Sequence, residues 1–149
     1  MNDRETRAHG AIAGLQRLTE LFRLRRQQLA REAGLSEAQW HVLEQIAADE
    51  FMPSMFARGR AQSPAAVSRV LRQLLDRKLI ASAAPRGADR RQRAYALTPR
   101  GTRVLESLRA SRRRAIETVW LGLDARELAA FTKISGELCA RLEAYARHA

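Results

Sequence analysis

The sequence predicts a mainly α-helical chain with one small β-hairpin, in which helices at both ends flank a basic central lobe. The chain has 149 residues, 46% of them apolar, which is enough for one compact domain with helical extensions. Apolar residues recur at helical spacing along most of the chain, and they alternate only around residues 79–97. The formal net charge is +11, and residues 53–103 alone carry +10. The positive charge is therefore concentrated in one third of the protein.

Several classes of protein are not predicted. No stretch approaches the roughly 18 consecutive apolar residues of a membrane span, and the N-terminus lacks the apolar segment of a secretion signal, so we expect a cytoplasmic protein with no membrane partner. Cys139 is the single cysteine, and His9, His41 and His148 are far apart, so neither a disulfide nor a metal or other cofactor is expected. Without a catalytic constellation or a Gly-rich phosphate loop, an enzyme is not expected.

Two helices are predicted before the basic segment. Apolar residues near one face, such as Ile12 and Phe22, predict a long helix over about residues 8–31, with Gly34 as its stop. Ser36 and Gln39 form a capping-box pattern that begins the second helix. This helix is expected to end near residue 49 and to bury four side chains: Trp40, Leu43, Ile46 and Ala47.

A short helix over residues 54–58, a break at residues 59–62 and a longer helix are predicted next. Ser63 is the N-cap of the longer helix and Pro64 its first residue. Its inward face carries Val67, Val70, Leu71 and Leu74, and its outward face carries Ala65, Ser68, Arg69, Arg72 and Gln73. These dimensions are those of a helix-turn-helix, whose second helix lies in the major groove of DNA. A surface helix with solvated arginines is the alternative.

A hairpin follows, with strands over residues 79–84 and 93–97 and with Tyr95 and Leu97 on one face. The connecting loop, residues 85–92, together with the start of the second strand, places four arginines around Asp89: Arg86, Arg90, Arg91 and Arg93. Such a loop is suited to straddle a phosphate backbone or to insert a guanidinium into the narrow minor groove.

Two further helices are predicted at the C-terminal end. Thr98 and Pro99 begin a helix that runs to Leu121, with Leu105, Leu108, Ile116, Val119 and Trp120 as candidate packing positions. Asp124 and Glu127 form another capping box. The helix that follows has an apolar seam consisting of Leu128, Phe131, Ser135, Leu138, Leu142 and Tyr145. A seam of this kind requires a partner helix.

The chain resembles the MarR family of winged helix-turn-helix transcriptional regulators. The resemblance is carried by residues 63–69 (SPAAVSR), by Leu79 and Ile80, and above all by residues 89–91 (DRR) followed by residues 97–101 (LTPRG). It implies a homodimer in which residues 1–34 and 101–149 of the two subunits interlock, while residues 35–100 form the DNA-binding lobe. The order of the elements extends the resemblance over nearly the whole chain.

The resemblance also implies a function and a set of site residues. The protein is expected to bind palindromic double-stranded DNA as a repressor, and to release it when a small, phenolic effector binds between the lobes. The family also includes activators and members without a known ligand. Arg90, or else Arg91, would reach the minor groove. The DNA-binding residues would be Ser63, Ala65, Ser68, Arg69, Arg72, Gln73, Arg86, Arg90, Arg91 and Arg93. The candidate effector pocket consists of Trp40, His41 and Met55.

Two features depart from the family pattern, and two alternatives remain open. Residues 60–62 (RAQ) are polar where the family commonly has an apolar–Gly–apolar turn, and Ser82 stands where many members have a basic residue.

Cys139 is either a redox sensor or a packed small hydrophobe, and we expect packing. The alternative function is a basic RNA-binding or assembly protein that uses the same winged domain, which would favour stacking aromatics on the basic surface. Tyr95 is the only aromatic residue in the predicted hairpin.

Overall fold

A computed structural model describes residues 2–48, 63–83 and 94–149, and these form five α-helices, one π-helical turn and a two-stranded hairpin. The elements are α1 (Asp3–Glu32), α2 (Glu37–Ala47), α3 (Pro64–Asp76), β1 (Ile80–Ala83), β2 (Ala94–Leu97), α4 (Pro99–Ala115), the π-helical turn (Ile116–Trp120) and α5 (Ala125–His148). This order confirms the predicted fold class. The predicted short helix at residues 54–58 and the loop at residues 85–92 lie outside the described residues.

The chain consists of two compact units, Met1–Ala110 and Ser111–Ala149. The division at residues 34 and 100 that the sequence suggested stays a prediction. No helix in the described part of the chain has the length and apolar content that crossing a membrane requires.

Helix α1 begins at Asp3, so the predicted start near residue 8 was wrong. Its N-terminus is a capping box: Asn2 Oδ1 accepts from the Glu5 N–H at 2.8 Å, and Glu5 Oε2 accepts from the Asn2 N–H at 2.9 Å. The first turn is entirely polar, so apolar periodicity could not detect it. At the other end Gly34 has φ of 71°, and Leu35 N–H donates to Ala30 O at 2.8 Å, which confirms the predicted stop as a Schellman motif.

Helix α2 begins with the predicted Ser36–Gln39 capping box and ends at Ala47. Its buried side chains are Gln39, Val42, Leu43 and Ile46. Trp40 is only half-buried and Ala47 is exposed, so the predicted face was wrong at these two positions. The buried face is centred on Val42 and Leu43, and Ala47 lies about 100° around the helix from Ile46. 

The core of the first unit lies between α2, α3, the hairpin and α4. Its fully buried side chains include Leu43, Leu74, Leu79 and Leu105. The strands are antiparallel, with Ile80 opposite Leu97 and Ser82 opposite Tyr95. Tyr95 and Leu97 both pack against this core, as their predicted common face requires. The core therefore fixes which side of α3 faces outward.

The end of α3 is tied to the beginning of α4 through Thr98. Thr98 Oγ1 donates to Lys78 O at 2.6 Å and accepts from the Gly101 N–H at 3.0 Å, and Thr98 N–H donates to Leu79 O at 3.1 Å. Helix α3 itself ends in a second Schellman motif, in which Leu79 N–H donates to Leu74 O at 3.0 Å. The left-handed position of this motif is occupied by Lys78, with φ of 58°.

The second unit departs from the sequence prediction at the end of α4. Residues 116–120 form a π-helical turn, in which Leu121 N–H donates to Ile116 O at 3.1 Å, where a continuous α-helix to Leu121 was expected. Ile116 and Val119 are exposed in the single chain, contrary to the prediction that they pack. Apolar character identified these residues, but it could not indicate whether a partner within the chain covers them.

Helix α5 begins with the predicted capping box, in which Glu127 N–H donates to Asp124 Oδ1 at 2.8 Å. Trp120 packs edge-to-face on Phe131 of this helix, with ring centroids 6.0 Å apart. Most of the predicted apolar seam is exposed, and Leu142 is 62% exposed. Cys139 is also exposed, so the prediction that it is packed was wrong for the single chain.

Candidate nucleic-acid interface

The candidate interface is the outward face of α3. Ser63 Oγ caps the helix by accepting from the Ala66 N–H at 3.1 Å, and Pro64 follows as its first residue, as predicted. Val67, Leu71 and Leu74 are buried in the core, so the opposite side of the helix faces solvent. The exposed residues there are Ser63, Ala65, Ser68, Arg69, Arg72 and Gln73. The structure therefore brings the six predicted α3 residues together on one accessible surface.

This surface is electrostatically positive. The first turn of α3 has no acidic residue, and backbone N–H groups at a helix N-terminus attract anions. Arg69 and Arg72 are three residues apart, so their side chains are neighbours on the helix. Within the described ranges neither guanidinium has an ion-pair partner, whereas Arg23 and Arg109 do. Arg69 and Arg72 are thus available to phosphate or base acceptors.

A partly buried polar network holds α3 against α2, and sequence analysis missed it. Gln39, only 9% exposed, donates from Nε2 to Gln73 Oε1 at 2.9 Å. Gln39 Oε1 accepts from the Ser36 N–H at 3.0 Å and from Arg77 Nη1 at 3.4 Å. Arg77 Nη1 also donates to Gly34 O at 2.6 Å. The capping pattern identified Gln39, but its contacts with residues 34 and 38 positions away had no sequence signal.

A second polar contact joins α2 to α4. Glu44 accepts from Arg109 through both carboxylate oxygens, at 2.6 and 3.3 Å, and the Trp40 indole N–H also donates to it at 3.3 Å. The hydrogen bond to Glu44 raises the pKa of Arg109 above its ordinary value. This ion pair supports the side of the lobe that carries Trp40 and His41, two of the candidate effector residues. Both are half-buried, and Met55, the third, lies outside the described residues.

The predicted wing residues Arg86, Arg90, Arg91 and Arg93 also lie outside the described residues. The described residues on either side of them, Ala83 and Ala94, are paired across the two strands. Ser82, at the position where a basic residue was noted as missing, is exposed on β1.

Comparison with known proteins relates this architecture to one group of solved structures. No family model matches the sequence, and no curated protein matches it significantly. A MarR family transcription regulator of known crystal structure has a TM-score of 0.83 with 19% identity, over 98% of this chain and 97% of its own. The S. aureus MepR–DNA complex has a TM-score of 0.66 with 18% identity, over 86% of this chain and 93% of its own. S. aureus MarR in complex with salicylate and kanamycin gives 0.72 with 16% identity, over 93% of each chain.

These likenesses span almost the full length of the proteins compared, although their sequence identity is low. They confirm at the level of fold the resemblance carried by residues 63–69 and 97–101. The chain has the winged helix-turn-helix fold of the MarR family transcription regulators.

Proposed function

We propose that this protein is a sequence-specific double-stranded DNA-binding transcriptional regulator. The observation that carries the proposal is the outward face of α3, where Ser68, Arg69 and Arg72 are exposed opposite a fully packed apolar face. A helix presented in this way, with an acid-free N-terminus, has the shape and charge that the major groove accepts. The S. aureus MepR–DNA complex supports the proposal, because the protein in that complex has this fold and is bound to DNA.

The regulator is proposed to act as a homodimer on palindromic DNA. Helices α1 and α5 each expose large apolar residues that a second subunit would cover, among them Ile12, Leu15, Leu138 and Leu142. Uncovered apolar faces of this extent are typical of interfaces. Two α3 helices related by a two-fold axis would enter successive major grooves about 34 Å apart, so the DNA site should consist of two inverted half-sites.

We further propose that the protein is a cytoplasmic repressor relieved by a small phenolic effector. An effector that prefers a lobe spacing unsuited to the two grooves weakens DNA binding by shifting the population of conformers. Trp40, His41 and Met55 remain the proposed pocket. S. aureus MarR in complex with salicylate supports a phenolic ligand class.

Fluorescence anisotropy tests the proposed function. Labelled duplex DNA from the region upstream of the protein's own gene is titrated with protein, with random duplex DNA and RNA as separate competitors. We expect a palindromic duplex to be preferred by at least about a thousandfold over random DNA. Equal affinity for palindromic and random DNA would overturn the proposal, and preference for RNA would favour the RNA-binding alternative.

The effector is tested separately by thermal shift with a panel of aromatic carboxylates. A ligand that binds the native state raises the melting temperature, and the proposed effector must also lower the affinity for the palindromic duplex.

Arg90→Ala tests the wing, where we expect weaker DNA binding with an unchanged melting temperature.

A further inference from the structure

The amide of Gln73 has a fixed orientation at the edge of the outward face of α3. Its Oε1 atom accepts from Gln39 Nε2 at 2.9 Å, while the side chain as a whole is exposed. A glutamine without such a partner presents either end of its amide, and it reads adenine through one donor and one acceptor together. In Gln73 the oxygen is held against Gln39, and one of its two acceptor positions is already used by the protein.

The orientation follows from donors whose identity is unambiguous. Gln39 Oε1 accepts from a backbone N–H, that of Ser36, and from the guanidinium of Arg77, and neither of these groups can accept a hydrogen bond. The Gln39 atom that faces these two groups must therefore be its oxygen. Its Nε2 is then the atom that faces Gln73, and the Gln73 atom in contact must be an oxygen.

Burial makes this arrangement costly to reverse. Gln39 is 9% exposed, so turning its amide would place its amino group against two donors and remove the acceptor that the Ser36 N–H and the Arg77 guanidinium share. The capping box also holds Gln39 at the N-terminus of α2, since the Gln39 N–H donates to Ser36 Oγ at 3.1 Å. The orientation of Gln73 is thus set from the interior of the lobe.

We infer that Gln39 is a positioning residue which holds the Gln73 amide with its oxygen toward the protein, so that Gln73 donates to a hydrogen-bond acceptor of DNA. This inference rests on the proposed function. Gln73 Nε2 has two N–H groups, and the acceptors that DNA offers them are the O6 and N7 atoms of guanine in the major groove and the phosphate oxygens. Adenine is disfavoured because its bidentate contact needs the Gln73 oxygen to accept a second hydrogen bond while that oxygen is held against Gln39.

Gln39→Glu is the variant that tests the inference most directly. A glutamate keeps an acceptor for Ser36 and Arg77, and Glu is favoured at this capping-box position, so the variant should fold. Its other oxygen cannot donate to Gln73, so the Gln73 amide must turn and offer its oxygen to DNA. Gln45→Glu is the matched control, because it makes the same charge change six residues along the same helix.

The experiment selects binding sites from a randomised duplex pool with wild type, Gln39→Glu, Gln73→Met and Gln45→Glu, and measures affinities for the enriched sites. If the acceptor is guanine, wild type prefers guanine at one position of each half-site by roughly 3- to 10-fold. Gln73→Met removes this preference, and Gln39→Glu transfers it to cytosine or adenine, whose amino groups donate. Other positions keep their preferences.

If the acceptor is a phosphate, the base preferences of all four proteins are the same. Gln73→Met and Gln39→Glu then weaken binding to every sequence by a similar factor, beyond the effect of Gln45→Glu. The inference is overturned if Gln39→Glu matches Gln45→Glu in both affinity and preference, or if wild type prefers adenine at the Gln73 position. Failure of wild type to enrich any palindromic site would instead count against the proposed function, so the two failures are distinguishable.

Discussion

The carbonyl group of Leu79 occupies the space that a β-carbon on residue 101 would need. An ideal β-carbon built on Gly101 would lie 2.9 Å from the carbonyl carbon of Leu79 and closer still to its oxygen. The same carbonyl oxygen accepts from the Thr98 N–H at 3.1 Å, so it cannot move away without breaking that bond. The start of α4 is therefore in backbone contact with the residue that directly precedes β1.

Gly101→Ala should destabilise the protein by roughly 2–4 kcal/mol, because the new methyl group meets a rigid backbone. Urea unfolding followed by circular dichroism measures the change. Gly10→Ala is the control: nothing lies within 4 Å of its β-carbon, and it should be neutral or slightly stabilising. Equal stability of the Gly101→Ala variant and wild type would contradict the close approach.

Lys78→Gly should stabilise the protein by about 0.5–1 kcal/mol. Lys78 adopts φ of 58°, which costs an L-residue with a β-carbon more than it costs glycine, although glycine also gains entropy in the unfolded chain. Lys78→Ala loses the same charge and keeps the β-carbon, so it should not show the gain. The comparison of the two melting temperatures separates backbone strain from charge, and equal values would rule the strain out.

Glu44→Gln should lower the free energy of unfolding by less than about 1 kcal/mol, although it removes the negative charge and one of the two acceptor oxygens that Arg109 contacts. The side chains of Arg109 and Glu44 are 48% and 31% exposed, so water screens much of their attraction. Because Glu44 raises the pKa of Arg109, the contribution of Arg109 is complete below its ordinary pKa and is lost only as pH rises through the folded-state value. Titration of Arg109 should thus add no pH dependence to unfolding in neutral or mildly alkaline buffer. A loss of several kcal/mol of unfolding free energy in Glu44→Gln would show that the ion pair is better shielded from water than the exposure of its side chains indicates.

Arg72→Ala should reduce the salt dependence of DNA binding. Each phosphate contact that is lost lowers the slope of log affinity against log salt concentration by about 1. Arg126→Ala removes the same charge from α5 and should leave the slope unchanged. Anisotropy titrations over a series of salt concentrations measure both slopes. Identical slopes for Arg72→Ala and wild type would exclude a phosphate contact at this position and leave base contact as its role.

Leu142→Glu should convert the proposed dimer into a monomer. Leu142 lies on the exposed apolar face of α5, and a carboxylate there would be buried without a partner on association. Ala140→Glu introduces the same charge on the opposite side of the helix and should leave the dimer intact. Sedimentation velocity gives the mass of each species. A dimeric Leu142→Glu variant would place the interface elsewhere.

Local patterns predicted those parts of the fold that depend on near neighbours in sequence. The caps at Ser36, Ser63 and Asp124 were all predictable, because a capping residue and its partner are three positions apart. The outward face of α3 followed in the same way from the spacing of Val67, Leu71 and Leu74.

Features that depend on distant contacts were not predictable. The bond from Gln39 to Gln73 joins two helices through polar groups, and the apolar pattern of either helix contains no trace of it. The prediction that Cys139 is packed was wrong for a related reason, since periodicity identifies an apolar face without indicating which chain covers it. Neither the composition nor the capping patterns of the sequence predicted the π-helical turn.

That turn has a consequence for how the chain tolerates changes of length. A π-helical turn closes a hydrogen bond over five residues instead of four, as Leu121 does with Ile116, and so it holds one residue more than an α-helical turn. Deleting one residue within Ile116–Trp120 would restore an ordinary α-helix without moving any side chain of the lobe core. The same deletion beside Leu105 would rotate the following buried side chains by about 100° toward water. A single-residue deletion should therefore disturb the lobe core less at this turn than in the preceding part of α4.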